Sequence, residues 1–581
     1  MNPFVRDVVG SPLDEAKSDV PRINHAAFEQ CVKLIRRVAT QHESESLLLF
    51  GEPGSGKTHL LSRLRAHLDQ GVFVSLRMQT SPSMMWRFVR REFAASLLRR
   101  REALTELIPP HRRRELSMMF HRDLGIVLEN LLAGIRVRDS AAWLQDGDLP
   151  EETLAEMGLS RQAIDDEFQE ERAYQVIREL SQLLEPAPVV FCLDQVEALQ
   201  KHPDDKAGIF ALGKLVATLH DTLRNAAIIS CVQTSFIDAI KTTVRGSEQD
   251  RMLSNRAGLL PLNWEQAMAL LQARLDPVSA PPNWPQEVEK LRSVFDAGGT
   301  CVARRVLHRA RELFDAATHT QAETDPLDSY LSRSFAERYR IRPAEESDFI
   351  VRDALPSLFQ LLGMQPEDTP ASARAGAFDL MVEYRGRPVA FAVCNQRPGN
   401  ALVNRFRKLG EKWDAGSVPR LIMLRDARLG IGANAKASHQ RLDELQKRNA
   451  ELVTVSPEAL AALDALRSLL ADAGSGDLSH GGETVTRGGV ERWLLAHMPE
   501  PLAEFVDQLK GGASGDGSRL LPALTAFLNE RKVASVAETA QELNATAKEV
   551  SDCARQNPVQ FALLDGRDPV LFQPVRQSSA S

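Results

Sequence analysis

Cysteine is scarce and shows no pattern. The 581 residues hold six, at positions 31, 192, 231, 301, 394 and 553, with no CxxC pair among them. Three of them sit in apolar runs that read as strands. This scatter argues against a disulfide framework or a thiolate zinc site, and it fits a reducing cytoplasm as the expected location. Long apolar runs are missing as well. None approaches the roughly 20 residues of a membrane span, so no membrane contact is expected. The opening "MNPFVRDVVGSPLDEAKSD" lacks the apolar core of a signal peptide. An excess of positive charge is also absent. The net charge is −7, so any contact with nucleic acid would have to come from a local patch. What is present is the composition of an ordinary soluble protein, 43% hydrophobic and 26% charged. The chain is too long for one core, and three or four domains are expected.

The most informative stretch is "LLLFGEPGSGKTHLLSRL", residues 47–64. Its centre, Gly51, Glu52, Pro53, Gly54, Ser55, Gly56, Lys57 and Thr58, matches GxxxxGK[ST] in full. An apolar run reading as a buried strand precedes it, and helical spacing follows it. Glycines let backbone N–H groups wrap phosphate oxygens, and the next helix adds its N-terminal dipole. Lys57 would bridge the terminal phosphates of ATP and Thr58 would hold Mg²⁺. A second apolar run, "PVVFCLDQVEAL" (188–199), ends in Asp194, which would complete the Mg²⁺ shell.

These motifs resemble the AAA+ ATPases, and residues 1 to about 320 resemble their origin-initiator or STAND-like clade. In that family a glutamate usually follows the Walker B aspartate and polarises the attacking water. Here Gln195 stands in its place, and an amide cannot take a proton. Glu197, two residues on, is the substitute candidate, and slow hydrolysis is expected. The resemblance implies a first sensor at the end of "NAAIISCVQTSF", Gln233 with Thr234 in reserve. It implies an arginine reaching a neighbouring subunit's nucleotide, Arg256 or else Arg251, and with it a homo-oligomer. It also implies a second sensor on the lid helix, Arg304, with Arg305 as the shifted register. Pro21 to Asn24 match the segment that packs on adenine.

Between the two nucleotide motifs lies an insert, 82–185, that reads as helical throughout. Counting from 81 to 125 gives ten arginines against five acids. Arg87, Arg90 and Arg91 share one helix face, while Arg99–Arg101 and Arg112–Arg114 form clusters. The planar fork of arginine suits phosphate, which makes DNA a candidate partner; a solvated face or an acidic protein partner explains the charge equally. The pattern "AAWLQDGDLPEETLAEMGL" (141–159) loosely resembles one in ATPases of bacterial anti-phage loci.

Residues 340–472 read as helix, hairpin, helix, strand, helix, strand, helix. That order resembles the PD-(D/E)xK restriction-endonuclease-like fold. Asp379 fits the first metal-binding acid, but Ala392, Val393 and Cys394 stand where E-x-K is needed, so a degenerate module without nuclease activity is expected. Residues 473–518 read as linkers ("AGSGDLSHGGE" and "GGASGDGS") around a short helical segment. Residues 519–576 read as three helices and a hairpin, a winged helix-turn-helix. Residues 501–581 hold eight bases and ten acids, a poor balance for DNA. The expected fold is therefore α/β: a P-loop AAA+ core with helical insert and lid, then a nuclease-like α/β domain and a winged helix. The expected function is a nucleotide-dependent assembly switch acting on DNA or on the other subunits of a complex, with phage defence as one setting. The alternatives are a non-hydrolysing scaffold and a loader of the initiator or transposition type.

Overall fold

The computed structural model describes residues 2–4, 12–13, 19–68, 70–78, 84–100, 104–108, 122–147, 149, 151–160, 166–200, 206–275, 280–318, 326–366, 378–384, 387–396, 400–413, 418–432, 434–480, 483–511, 524, 527–528, 531–543, 547, 550–551, 554, 561–564 and 569–572. Arg101, Arg112–Arg114, Lys548 and Arg555 lie outside them, as does the turn at 565–568.

The first sheet holds β1 (Glu45–Phe50), β2 (Val72–Arg77), β3 (Val189–Asp194), β4 (Ala226–Val232) and β5 (Arg256–Gly258), in the order β2-β3-β4-β1-β5. All four pairings are parallel. The strands are apolar on both faces because helices cover both, as parallel sheets require. In β1, Leu48 enters one core, with Val74, Phe93 and Phe191, while Leu47 and Leu49 enter the other, with Cys31, Leu61 and Cys231. The helix His25–Gln41 and the phosphate-loop helix Lys57–His67 supply the second core. The insert supplies the first through Met85–Arg99, Arg122–Ala133, Val137–Leu144 and Asp166–Leu184. A lid follows, with β6 (Leu262–Asn263) pairing antiparallel to β7 (Thr300–Cys301), and the helices Trp264–Leu275 and Ala303–Ala317. Its core gathers Phe4, Trp284, Leu307 and Phe314.

The second sheet holds β8 (Gln365–Pro366), β9 (Leu380–Tyr384), β10 (Arg387–Val393), β11 (Arg420–Asp426) and β12 (Ala450–Val455), in the order β12-β11-β10-β9-β8. β9 and β10 form the expected antiparallel hairpin, and β10 runs parallel to β11. The helix Ser347–Leu361 packs on the helix Pro457–Gly474 and on β10, burying Phe359 against Phe391.

Two expectations change here. The stretch 473–483 is not a composition-driven linker. The helix runs on to Gly474, a hydrogen-bonded turn follows, and Leu478 is buried ahead of β13 (Ser479–His480), which pairs with β14 (Glu483–Thr484) and buries Ser479. Small and polar residues there serve close packing rather than freedom. The helix face of Arg87, Arg90 and Arg91 packs inward rather than forming a phosphate-facing stripe. Arg87 and Arg90 are buried and both grip Asp146, at 2.5 and 2.7 Å. Arg90 lies over the buried Trp143 ring, and Arg91 over Phe349. Burial works against ionisation of Asp146, yet these cations hold its carboxyl below the usual range. Trp143, Leu144 and Leu149 of the 141–159 pattern are core residues.

A second compact unit comprises residues 451–453 and 499–581. Its described part contains the helix Glu500–Gly511 and an antiparallel sheet, β15 (Val533–Ser535), β16 (Ala562–Leu564) and β17 (Val570–Phe572), in the order β15-β17-β16. Leu524, Leu528, Val550, Phe561 and Leu571 form its core.

Candidate nucleotide site

The C-terminal ends of β1, β3 and β4 converge on one pocket, where ligands sit in open parallel sheets. Gly54 and Gly56 take positive φ, +78° and +98°, which only glycine adopts freely. A Cβ on Gly54 would strike Arg304 at 2.7 Å, so the lid helix closes directly over the loop. Lys57 Nζ donates to Gly51 O at 2.8 Å and to Glu52 O at 3.3 Å. Thr58 Oγ1 donates to Asp194 Oδ2 at 3.0 Å, which places the expected Mg²⁺ pair side by side. Burial raises the Asp194 carboxyl, and the charge of Asp477 adds to the rise.

Gln195 leaves β3 with φ +56°, and the short 3₁₀ turn Val196–Leu199 then brings Glu197 into the same pocket. Gln233 N donates a close hydrogen bond to Glu197 Oε1. Burial pushes the Glu197 carboxyl up to about 7. Gln233 lines the pocket, while Thr234 is exposed outside it. Arg304 likewise lines it and is buried, whereas Arg305 faces out. Ile23, Leu270 and Leu307 form an apolar wall, and Asn24 Nδ2 donates to Ser55 O at 3.4 Å. Arg63 secures this wall by donating to Ile23 O at 3.0 Å and Pro21 O at 3.3 Å.

The structure does not bring Arg256 or Arg251 to this pocket. Arg256 is exposed on the edge strand β5, where its Nε donates to Leu253 O at 3.0 Å. Arg251 is tied to Asp221 at 2.7 Å. Asp379 lies in the second sheet's unit, paired with Arg352 at 3.0 Å and Arg405 at 2.6 Å.

Sequence reasoning missed Asp19, Arg274, Ser475 and Asp477, all of which line the pocket. Asp19 pairs with Arg63 at 2.9 Å. Ser475 and Asp477 come from the stretch read as linker, and no local signal marks them.

The residues suit a nucleoside phosphate with a cation. The Ser55 hydroxyl and Arg304 Nε are buried without a hydrogen-bond partner among the described residues, and the space over Gly56 is open. Such polar atoms are costly unless something satisfies them. Fold and site together define a P-loop ATPase. Residues 26–229 match the AAA ATPase domain family, so the chain carries an AAA-type α/β core and is an ATPase. A search of curated proteins finds no match. Among solved structures the chain is similar to the Aeropyrum pernix ORC1 protein in complex with DNA, at 14% identity over 75% of this chain and 86% of that one, with a TM-score of 0.30. It is also similar to Drosophila ORC bound to DNA (15%, 74% and 89%, TM-score 0.29) and to a Walker-type ATPase of Pyrococcus abyssi (14%, 65% and 95%, TM-score 0.29). Likeness at this level carries no argument about function.

Proposed function

We propose that this ATPase is a slow, nucleotide-dependent assembly switch. The observation that carries the reading is Gln195 at the end of β3, where a buried neutral amide stands ahead of a half-buried carboxylate, Glu197, that lines the same pocket. Lys57 would hold the terminal phosphates, and Thr58 with Asp194 would hold Mg²⁺, which when bound neutralises phosphate charge. Gln233 and Arg304 would face the terminal phosphate. Glu197 would take the proton from water, a role its raised basicity suits.

An exposed arginine on an edge strand suits a neighbouring copy, so Arg256 is assigned to a trans contact in a homo-oligomer. The second sheet supports a nuclease-like scaffold without cleavage. Its one candidate acid, Asp379, is gripped by two arginines, and Ala392 and Cys394 are fully buried. The three-stranded sheet and the apolar core of the second unit support a winged helix, whose surplus of acids over bases suits a protein partner better than DNA.

Single-turnover hydrolysis tests the reading. Turnover should fall well below about 1 s⁻¹, the low end of ordinary enzymes. Glu197→Gln should remove what remains while ATP affinity persists. Hydrolysis by Glu197→Gln at the wild-type rate overturns the base assignment. Arg256→Ala should bind ATP normally yet lose ATP-dependent oligomers in light scattering.

A further inference from the structure

The helix Pro457–Gly474 belongs to the second sheet's layer, yet its end enters the nucleotide pocket of the first. Asp472 anchors it there. Its buried carboxylate takes Arg338 at 2.5 Å and Arg77 at 3.3 Å. The turn then closes on itself: Asp477 N donates to Asp472 O at 2.8 Å, and Ser475 Oγ donates to Asp477 Oδ2 at 2.7 Å. Gly476 takes φ +70° and lies so near Pro53 of the phosphate loop that a Cβ would come within 2.9 Å.

The turn engages three side chains. Gln195 Nε2 donates to Asp472 Oδ1 at 3.0 Å and to Asp477 Oδ2 at 2.8 Å, which uses both amide hydrogens. Gln233 Nε2 donates to Ser475 O at 2.8 Å. Arg304 makes a close hydrogen bond to Gly476 O and an ion pair with Asp477 at 3.3 Å. Gln233 and Arg304 are the groups assigned above to the terminal phosphate, and Gln195 stands where the water-polarising acid is expected. Lys57 and Thr58 are held by other partners, the loop carbonyls and Asp194.

We propose that the turn 472–477 is the specificity element of this site, favouring a nucleoside diphosphate over a triphosphate by occupying Gln195, Gln233 and Arg304. The inference rests on the ATPase reading above. Arg304 and Gln233 can hold a terminal phosphate only after the turn gives them up, and the Asp477 carboxylate repels a further anion beside it. The phosphate loop and Lys57 serve a diphosphate with the turn in place. The same geometry accounts for Gln195. A glutamate there would set a third carboxylate against Asp472 and Asp477 and lose both donated hydrogen bonds. Release of the turn would pass nucleotide state to the second sheet through the helix that ends in it.

Calorimetry with Mg-ADP and Mg-ATPγS on the full chain tests this. Wild type should bind ADP more tightly than ATPγS. Asp477→Ala should raise ATPγS affinity about tenfold, a shift of ~1.4 kcal/mol, and leave ADP affinity within about twofold. Unchanged ADP affinity also reports that the variant is folded. Gln195→Glu should shift the ratio the same way, by repulsion rather than deletion. An unchanged ADP-to-ATPγS ratio in both variants overturns the inference and leaves the ATPase reading standing. Weaker ATPγS binding in Asp477→Ala also overturns it, because the turn would then be completing the triphosphate site. Wild type that binds neither nucleotide sinks the ATPase reading and this inference together.

Discussion

Asp194 and Asp379 make an instructive pair. Each is an acid at the edge of an apolar strand in an α/β sheet, and each is a metal-ligand candidate by its motif. Asp194 faces the Thr58 hydroxyl and an open pocket, and burial raises its carboxyl. Asp379 has one oxygen on Arg352 and the other on Arg405, with Val393 N donating as well at 2.6 Å. The first is an acid under electrostatic strain that a cation would relieve. The second is already neutralised by the protein. What an acid faces, rather than the strand that carries it, separates a site from a strut.

The sharpest way to break this comparison is Lys57→Ala, which should cut ATP affinity at least about a hundredfold without unfolding the chain, since the half-buried Lys57 side chain lies outside the apolar cores. Calorimetry beside a melting curve checks both halves. Asp379→Ala should do the reverse. Leaving two buried guanidinium groups without their carboxylate should cost about 3–5 kcal/mol in denaturant unfolding and leave ATP binding alone. A loss of Mg²⁺-dependent DNA cleavage in that variant would instead expose Asp379 as a metal ligand. Arg90→Ala extends the argument to the insert. It strips a buried partner from Asp146 and should cost about 3 kcal/mol, with no change in the salt dependence of any DNA binding. Asp194→Asn should abolish the Mg²⁺ requirement of nucleotide binding while slightly raising the melting temperature, because a raised acid is replaced by a neutral amide.

The smallest effect concerns a third kind of buried acid. Glu170 accepts from Trp86 N and Arg87 N, and burial pushes its carboxyl up to about 7. A folded value above the unfolded one favours the fold while the group is protonated. That stability is complete below the ordinary value of 4.5 and fades as pH climbs towards 7. Glu170→Gln should flatten this part of the melting profile and leave the rest unchanged.

The phosphate loop, β1, β3 and β4 were legible because each obeys a local rule. Glycines mark the turn, apolar runs mark strands covered on both faces, and acids or amides follow at the strand ends. Arg304 and Gln233 were candidates only as the resemblance implied them, and the structure places these two at the pocket while Arg305 and Thr234 are exposed. Arg87 and Arg90 were ambiguous because charge on a helix face looks the same whether water or Asp146 lies opposite. Most telling is 472–477, whose small polar residues match the composition of a linker. Its partners Gln195, Gln233 and Arg304 lie 277, 242 and 172 residues away in the chain. The sequence by itself determined the candidate phosphate loop, since that depends on backbone shape within one short stretch. Only the tertiary structure decided what competes for its terminal phosphate, because that contact joins two layers that no local pattern connects.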